Sequence, residues 1–299
     1  PEEIGNLINL RDLDIWGSSL SGEIPPQIGN LTYLELLWFQ ENNLSGELPA
    51  TIGNLINLRE IYLNNNGLSG SIPVEIGNLI NLQELSLANN QLTGSIPNEF
   101  GNLVSLIHWT MERNQLEGMV PSTISNLINL RHLEIWDNQL TGPILEYIIN
   151  LDQLEHIEID QNNFTGTIPS EISNFSNLNV LWLASNQFSG EIPSEIGNLN
   201  YLTTLMLANN QFSGEISYEI CNLPLNPNWE NFDQSEFMFN NNQFCPPYPT
   251  CIEEYVDINT QDVSDCFSCD GTDESEQALW GNCYHTEYTT EINLSNSNL

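Results

Sequence analysis

Lysine is absent from the 299-residue chain, and its only cations are four arginines, set against 40 aspartate and glutamate residues. The formal net charge is therefore −36 at pH 7. Binding to nucleic acid or to anionic lipid headgroups depends on clusters of Lys and Arg side chains. Four cations spread along the sequence do not form such a cluster, so we expect neither nucleic acid nor an acidic membrane as a partner.

Long apolar runs are also missing. No run approaches the ~18 to 20 apolar residues of a membrane-spanning helix, and the first residues, PEEIGNLINL, lack the basic start and apolar stretch of a signal peptide. Yet 40% of the residues are hydrophobic and only 15% are charged, which is enough apolar surface for the chain to fold. We expect a folded segment without direct membrane insertion, whose targeting signal lies outside it.

Cysteine is absent before position 221, and the same region is repetitive. Each unit reads L-x-x-L-x-L-x-x-N-x-L-S/T-G-x-I-P-x-x-I-G-N-L, as in the segment from Leu82 to Pro97. Self-similarity at a fixed period indicates a solenoid of stacked coils. The tetrapeptide IGNL or a near copy recurs every 24 residues, beginning at Ile4, Ile28, Ile52, Ile76, Phe100, Ile124, Ile148, Ile172, Ile196 and Ile220.

The spacing within a unit predicts its local structure. The L-x-L segment alternates with a period of two, which is typical of a short strand with one buried face. A Gly after Ser or Thr, such as Gly94, allows a tight bend, and the Pro of the I-P dipeptide fixes φ where no amide donor is needed. The Asn that ends each strand is predicted to point inward and satisfy backbone groups. These residues are expected to form a ladder: Asn42, Asn66, Asn90, Asn114, Asn138, Asn162, Asn186 and Asn210.

The units resemble the plant-type leucine-rich repeat over about residues 1–220. This resemblance implies an α/β repeat fold, a right-handed and curved solenoid with a parallel β-sheet on its concave side and short helical or irregular turns on its convex side. It also implies a disulfide-bonded capping region. Three units depart from the pattern, because Ser18 replaces the ladder Asn and because Leu145 and Ser217 replace the Pro. We expect small irregularities in those coils.

The array is predicted to end in a stretched tenth unit, in which eight extra residues are inserted through CNLPLNPNWENFD. Terminal repeats must cover the open end of the core. We therefore divide the chain into an array over 1–220 and an atypical last repeat with its C-terminal cap over 221–268. The strand positions of the tenth unit fall on Phe237, Phe239, Asn242 and Phe244.

An even number of clustered cysteines indicates disulfides and an oxidising, extracellular or cell-surface location. The sequence leaves the pairing open, because Cys221 pairs reasonably with either Cys245 or Cys266, and Cys269 with Cys283. The Cys-x-x-Cys at 266 and 269 lacks the second pair of ligands that a structural zinc site needs. All six are expected in disulfides: Cys221, Cys245, Cys251, Cys266, Cys269 and Cys283.

Residues 269–299 are predicted to contain a linker, an N-terminal cap and the first strand of a following array. The segment from Trp280 to Cys283 resembles such a cap, and Ile292, Leu294 and Leu299 align with the first unit. An acidic stretch over about 252–273 precedes them. Because Pro1 lies in mid-repeat, we expect the 299 residues to be an internal piece of a longer protein with serial arrays.

Outward residues of successive strands lie ~4.8 Å apart in a parallel ladder and therefore form rows along the concave sheet. Three histidines of one row stand in consecutive units beside carboxylates. This cluster is interpreted as a divalent-metal site, as a pH-sensitive contact, or as a solvated polar face produced by repeat duplication; we assign no metal or cofactor to it. Its members are His108, Glu112, His132, Glu134, His156, Glu158 and Asp160.

Large aromatic side chains are the second outward feature of these rows. Exposing them to water is costly unless something covers them, so they are candidate anchors for a protein or a glycan. The alternative is partial shielding by neighbouring long side chains. The aromatic candidates are Trp16, Trp38, Tyr62, Trp136 and Trp182.

Catalysis finds no support, since no Ser-His-Asp arrangement, phosphate loop or dedicated nucleophile is apparent. The resemblance implies a recognition module that binds a protein or glycan through its concave face. The alternative is a structural surface protein, such as an adhesin, stalk or filament subunit, that assembles with further copies of itself. Ice binding requires a flat, regular row of Thr or Asn, and the concave rows are too irregular for it.

Overall fold

A computed structural model describes residues 1–226 and 238–263, Cys266, and the backbone of 276–279 and 282–285. Each coil contributes a three-residue strand to one parallel sheet of nine strands, which we call the concave sheet. The central residue of each strand is buried, as the L-x-L pattern predicts. The strands are Asp12–Asp14, Leu36–Trp38, Glu60–Tyr62, Glu84–Ser86, His108–Thr110, His132–Glu134, His156–Glu158, Val180–Trp182 and Thr204–Met206.

A second parallel sheet of ten strands lies on the next side of each coil, and its strands run into the bend of the coil. Glycines such as Gly94, with φ of 73°, make this bend in the left-handed region, which confirms the prediction. We call this element the second sheet. Its strands are Ser21–Gly22, Asn43–Glu47, Gly67–Ser71, Gln91–Gly94, Gln115–Met119, Gln139–Gly142, Asn163–Gly166, Gln187–Gly190, Gln211–Glu215 and Gln243–Cys245.

The third side of each coil is a short 3-10 helix, and Pro stands at the N-cap of most of them. Coils approach closely here, since a Cβ at Gly53 would lie 2.4 Å from the carbonyl oxygen of Glu75. This contact explains the Gly of IGNL. The 3-10 helices are Glu2–Asn6, Pro26–Asn30, Ala50–Asn54, Val74–Asn78, Asn98–Asn102, Ser122–Asn126, Ser170–Asn174, Ser194–Asn198 and Tyr218–Asn222.

The coil with Leu145 instead of Pro is irregular, as predicted. It contains an α-helix, Ile144–Ile148, in place of the 3-10 helix. Leu145 brings an amide and no fixed φ, so the helix starts directly after Pro143 rather than after the usual Pro position. The coil with Ser217 keeps its 3-10 helix. In the first coil, Ser19 has a φ of 57°, and no residue at the equivalent position of another described coil has a positive φ.

The predicted asparagine ladder is present. The Asn90 side-chain nitrogen donates to the carbonyls of Leu63, Leu87 and Ala88 at 3.0, 3.0 and 3.2 Å, and its Oδ1 accepts from the Leu68 amide at 3.0 Å. Each Asn thus joins its own coil to the preceding one. Asn242 of the stretched unit does the same across its longer insertion.

The end of the array is closed by two disulfides, Cys221–Cys251 and Cys245–Cys266. The expected pairing of Cys221 with Cys245 or Cys266 was wrong. Cys245 ends the last strand of the second sheet, whereas Cys221 lies in a 3-10 helix on another side of the coil, and the chain after Cys245 returns to place Cys251 there. Buried Ile252 covers the core at this end.

Two further 3-10 helices, Glu253–Tyr255 and Ile258–Thr260, follow in the cap. Beyond them the described backbone forms an antiparallel pair, Glu276–Leu279 with Asn282–His285, and Cys283 lies in its second strand. Cys269, Phe237 and the strand predicted near 290–299 lie outside the described residues. The division at 268 therefore stays a prediction. In the described part of the chain, no helix has the length and apolarity needed to cross a membrane.

Candidate ligand-binding face

The concave sheet brings together residues that are 24 positions apart, as the repeat predicts. His132 is paired with His108 on one side and with His156 on the other. The rings of His108 and His132 have centroids 4.4 Å apart, and those of His132 and His156 are stacked at 4.3 Å with an interplanar angle of 9°. The three imidazoles therefore form a continuous column across three coils.

Carboxylates flank this column on both sides. His108 Nδ1 lies 2.6 Å from Glu84 Oε2, a hydrogen bond within one row of the sheet. His132 lies 3.6 Å from Glu134, and His156 lies 3.9 Å from Glu158. Each imidazole thus has a partner carboxylate. Among the described residues, no three His, Cys, Asp or Glu side chains are placed to hold a metal ion together.

Three carboxyl groups of the cluster are desolvated by burial. Burial, together with the charges of Glu134 and Glu158, raises the pKa of Glu112 to about 7, although a backbone hydrogen bond and the charge of Arg113 act in the opposite direction. Burial also raises the pKa of Asp160 to about 6. Burial likewise raises the pKa of Glu158. All three carboxyl groups therefore favour the protonated form more than an exposed carboxyl group does.

The structure separates the predicted aromatic residues into three places. Trp16 is alone at the edge of the sheet with 57% of its surface exposed. Trp38 and Tyr62 form an edge-to-face pair with centroids 5.8 Å apart, and the Trp38 indole donates to Glu60 at 3.2 Å. Burial raises the pKa of Tyr62 to about 12. Tyr62, but not Trp38, lines a cleft of about 350 Å³ that also includes His108.

Trp136 and Trp182 occupy the third place, two coils apart, where both line a cleft of about 560 Å³. Asp160 lies on the coil between them and lines the same cleft, together with Arg113 and Gln161. The Arg113 guanidinium lies 4.5 Å from the centroid of the Trp136 ring. The Arg113 side chain therefore partly shields Trp136, which is the alternative interpretation given from the sequence.

Sequence reasoning missed several polar contributors to these clefts, among them Glu84, Arg113 and Gln161. Glu84 lies directly opposite His108 in its row and was recoverable from the row alignment. Arg113 and Gln161 lie three residues after the ends of their concave strands, and both have positive φ, 54° and 52°. This left-handed conformation turns the chain before the ladder Asn. Gly or Asn, which favour it, occupy the position in other coils such as those of Gly17 and Asn65, but Arg113 and Gln161 carry no such signal themselves.

The second sheet carries a more regular outward surface. Its register places the hydroxyl residue of one coil beside the amide residue of the next, as in Thr93 with Gln115 and Thr165 with Gln187. Seven of the nine such pairs combine Ser or Thr with Asn or Gln; the exceptions contain Gly67 and Glu117. Only Glu117 is charged. This face was not identified from the sequence.

Solved structures with the same fold include the Arabidopsis receptor kinase HAESA ectodomain in complex with an extended IDA peptide hormone. It is 33% identical, with a TM-score of 0.78 over 86% of this chain and 42% of that one. The plant peptide hormone receptor RGFR1 in complex with RGF2 is 33% identical, with a TM-score of 0.68 over 86% and 44%. The chain thus spans less than half the length of these receptor chains.

A plant ice-binding protein is also similar, at 31% identity and a TM-score of 0.70, over 84% of this chain and 78% of that one. No curated protein matches the sequence. Residues 1–189 match the family described as a leucine-rich repeat region, and residues 201–223 match the leucine-rich repeat itself. The chain belongs to the leucine-rich repeat family.

Proposed function

We propose that this array is an extracellular recognition module that binds a peptide or protein ligand along its concave sheet. The observation that carries the proposal is the partly exposed aromatic set on that sheet. Tyr62, whose ring contacts Trp38, lines one cleft, and Trp136 and Trp182 line another. Aromatic side chains in clefts supply large contact areas at low entropic cost. Both receptor structures described above hold peptide ligands.

The cap supports an extracellular location. Its two disulfides, Cys221–Cys251 and Cys245–Cys266, form and persist in oxidising compartments. The strongly acidic surface favours ligands with positive charge and disfavours self-association at low salt. A glycan ligand and a filament subunit remain the alternatives, and the experiment below includes both.

The test is a parallel selection of a random peptide library on phage and of an immobilised glycan array against the full chain. We expect selected peptides to lose binding to a Trp136→Ser, Trp182→Ser variant and to keep it for the control Gln139→Ser, Gln187→Ser on the second sheet. Selected ligands that bind the tryptophan variant equally well would contradict the proposal. Sedimentation velocity at rising salt tests the filament alternative, which requires salt-dependent assembly of the chain alone.

A second candidate function is ice binding, and the second sheet favours it. Its rows of hydroxyl and amide side chains are regular and almost uncharged in a protein of charge −36. The concave rows, considered by themselves, are irregular. This chain covers 78% of the length of the similar plant ice-binding protein, whereas it covers less than half of each of the two receptor chains.

This candidate predicts that the chain inhibits the recrystallisation of ice in a frozen thin film. A Thr165→Lys substitution places a bulky charge in the regular rows and should reduce the inhibition by about tenfold or more. The matched control Thr110→Lys, on the concave sheet, should leave it unchanged. Film grains that coarsen as fast with the wild-type chain as with buffer would eliminate ice binding.

A further inference from the structure

The cleft between Trp136 and Trp182 contains a carboxylate whose hydrogen bonding is incomplete. Asp160 is 8% exposed, and its Oδ2 accepts from the Gln161 side-chain nitrogen at 3.1 Å. Its Oδ1 is buried and has no hydrogen-bond partner among the described residues. A buried carboxylate oxygen without a partner is costly, so such a group is expected to have a ligand, an ion or water beside it.

The walls of the cleft are suited to a positive group. The faces of tryptophan rings attract ammonium and guanidinium groups through their quadrupoles. Arg113, 4.5 Å above Trp136, shows that one of these faces already accepts a guanidinium. Trp182 lines the same cleft, so an entering cation meets a second aromatic side chain.

The electrostatic surroundings favour the same sign. Glu158 and Asp137 act on Asp160 as negative neighbours, and Glu134 and Glu158 act on nearby Glu112. Arg113 is the only cation that lines the cleft in the described structure. An anionic ligand group would therefore meet repulsion from several carboxylates, whereas a cation gains from all of them.

We propose that the Asp160 cleft binds the cationic group of a peptide ligand, an Arg or Lys side chain or a free N-terminal amine, between Trp136 and Trp182. Asp160 Oδ1 accepts a charge-assisted hydrogen bond from this group, and the indole faces cover its apolar portion. This inference rests on the proposed recognition function and names the chemistry of one anchor of the ligand. It gives the excess of acidic residues a role at one defined place.

The test compares two probes that differ only in charge, N-acetyl-arginine amide and N-acetyl-citrulline amide. Binding to the full chain is followed through the indole N–H signals of Trp136 and Trp182 in NMR spectra. We expect the arginine probe to bind at least about tenfold more tightly than the citrulline probe. Asp160→Asn should reduce this ratio to near one, whereas the control Asp152→Asn, at an exposed turn, should preserve it.

Circular dichroism of Asp160→Asn checks that the variant is folded. A Trp136→Phe variant keeps an aromatic ring at this position and should retain the preference for the arginine probe. Equal binding of the two probes by the wild-type chain would overturn the inference, as would an unchanged ratio in Asp160→Asn. Peptides selected on the concave sheet that bind without any requirement for positive charge would overturn it while leaving the proposed function intact. Arginine binding at Asp160 without any selectable peptide would contradict the proposed function while leaving the cation site at Asp160 intact.

Discussion

The concave sheet and the second sheet are built from the same repeats and share one core, yet their outward surfaces differ. The second sheet repeats paired rows of hydroxyl and amide side chains in which Glu117 is the one charged residue, while Glu47 and Glu215 end two of its strands. The concave sheet changes from Trp38 and Tyr62 to a histidine column and then to Trp136 and Trp182. The repeat pattern specifies the interior and the bends of the coil but not the outward concave positions, which are therefore free to form sites.

The largest effect is expected where both sheets depend on the same residue. Asn90→Ala removes a side chain that satisfies the backbone of two coils. The Leu68 amide loses its acceptor, and the carbonyls of Leu63 and Leu87 each lose one of their two side-chain amide donors. We expect the free energy of unfolding to fall by about 3 kcal/mol, measured from the urea midpoint. The neighbouring exposed Gln91→Ala should cost less than about 0.5 kcal/mol. Equal losses would mean that the ladder does not support the fold.

A smaller effect should distinguish the two outward surfaces. Trp182→Ala removes a half-buried ring from the concave cleft, and we expect a loss of about 2 kcal/mol in the same measurement. Thr165→Ala on the second sheet removes an exposed hydroxyl and should change stability by less than about 0.5 kcal/mol. Similar values for both would show that Trp182 packs no more tightly than a surface residue, which would weaken the cleft as a preformed site.

The smallest effect is a pH dependence confined to the concave sheet. The pKa of Glu112 is raised from 4.5 to about 7 in the fold. A raised carboxyl pKa stabilises the folded state fully below the unfolded pKa, and this contribution is lost as the pH rises through the folded pKa. Relative to Glu112→Gln, the wild-type chain should therefore lose stability between about pH 4.5 and pH 7. Allowing for solvent screening, we expect a difference of about 1 kcal/mol.

Glu117→Gln is the matched control for this measurement, because Glu117 is exposed on the second sheet only five positions away. Its pH profile should follow that of the wild-type chain. Urea unfolding at several pH values between 4 and 8 checks both variants. If the difference in unfolding free energy between wild type and Glu112→Gln did not change with pH, Glu112 would be better solvated than its position indicates. The two sheets would then not differ in their electrostatic contribution to stability.

The repetitive pattern made the fold and the concave rows predictable. A contact made by every coil appears in the sequence as a residue at a fixed period, as with the ladder from Asn42 to Asn210 and the bend glycines. Contacts made once leave no such signal. The disulfide pairing of Cys221 with Cys251 depends on how the chain returns after Cys245, and spacing alone did not reveal it.

The sequence by itself determined the coil length, the buried positions and the partners of each row, because the 24-residue period places equivalent side chains on adjacent strands. Only the tertiary structure decided that Trp136, Asp160 and Trp182 line one cleft and that Asp160 Oδ1 is buried in it without a described partner. Desolvation and hydrogen bonding depend on how particular side chains pack across three coils. Row alignment orders those side chains but does not specify their conformations.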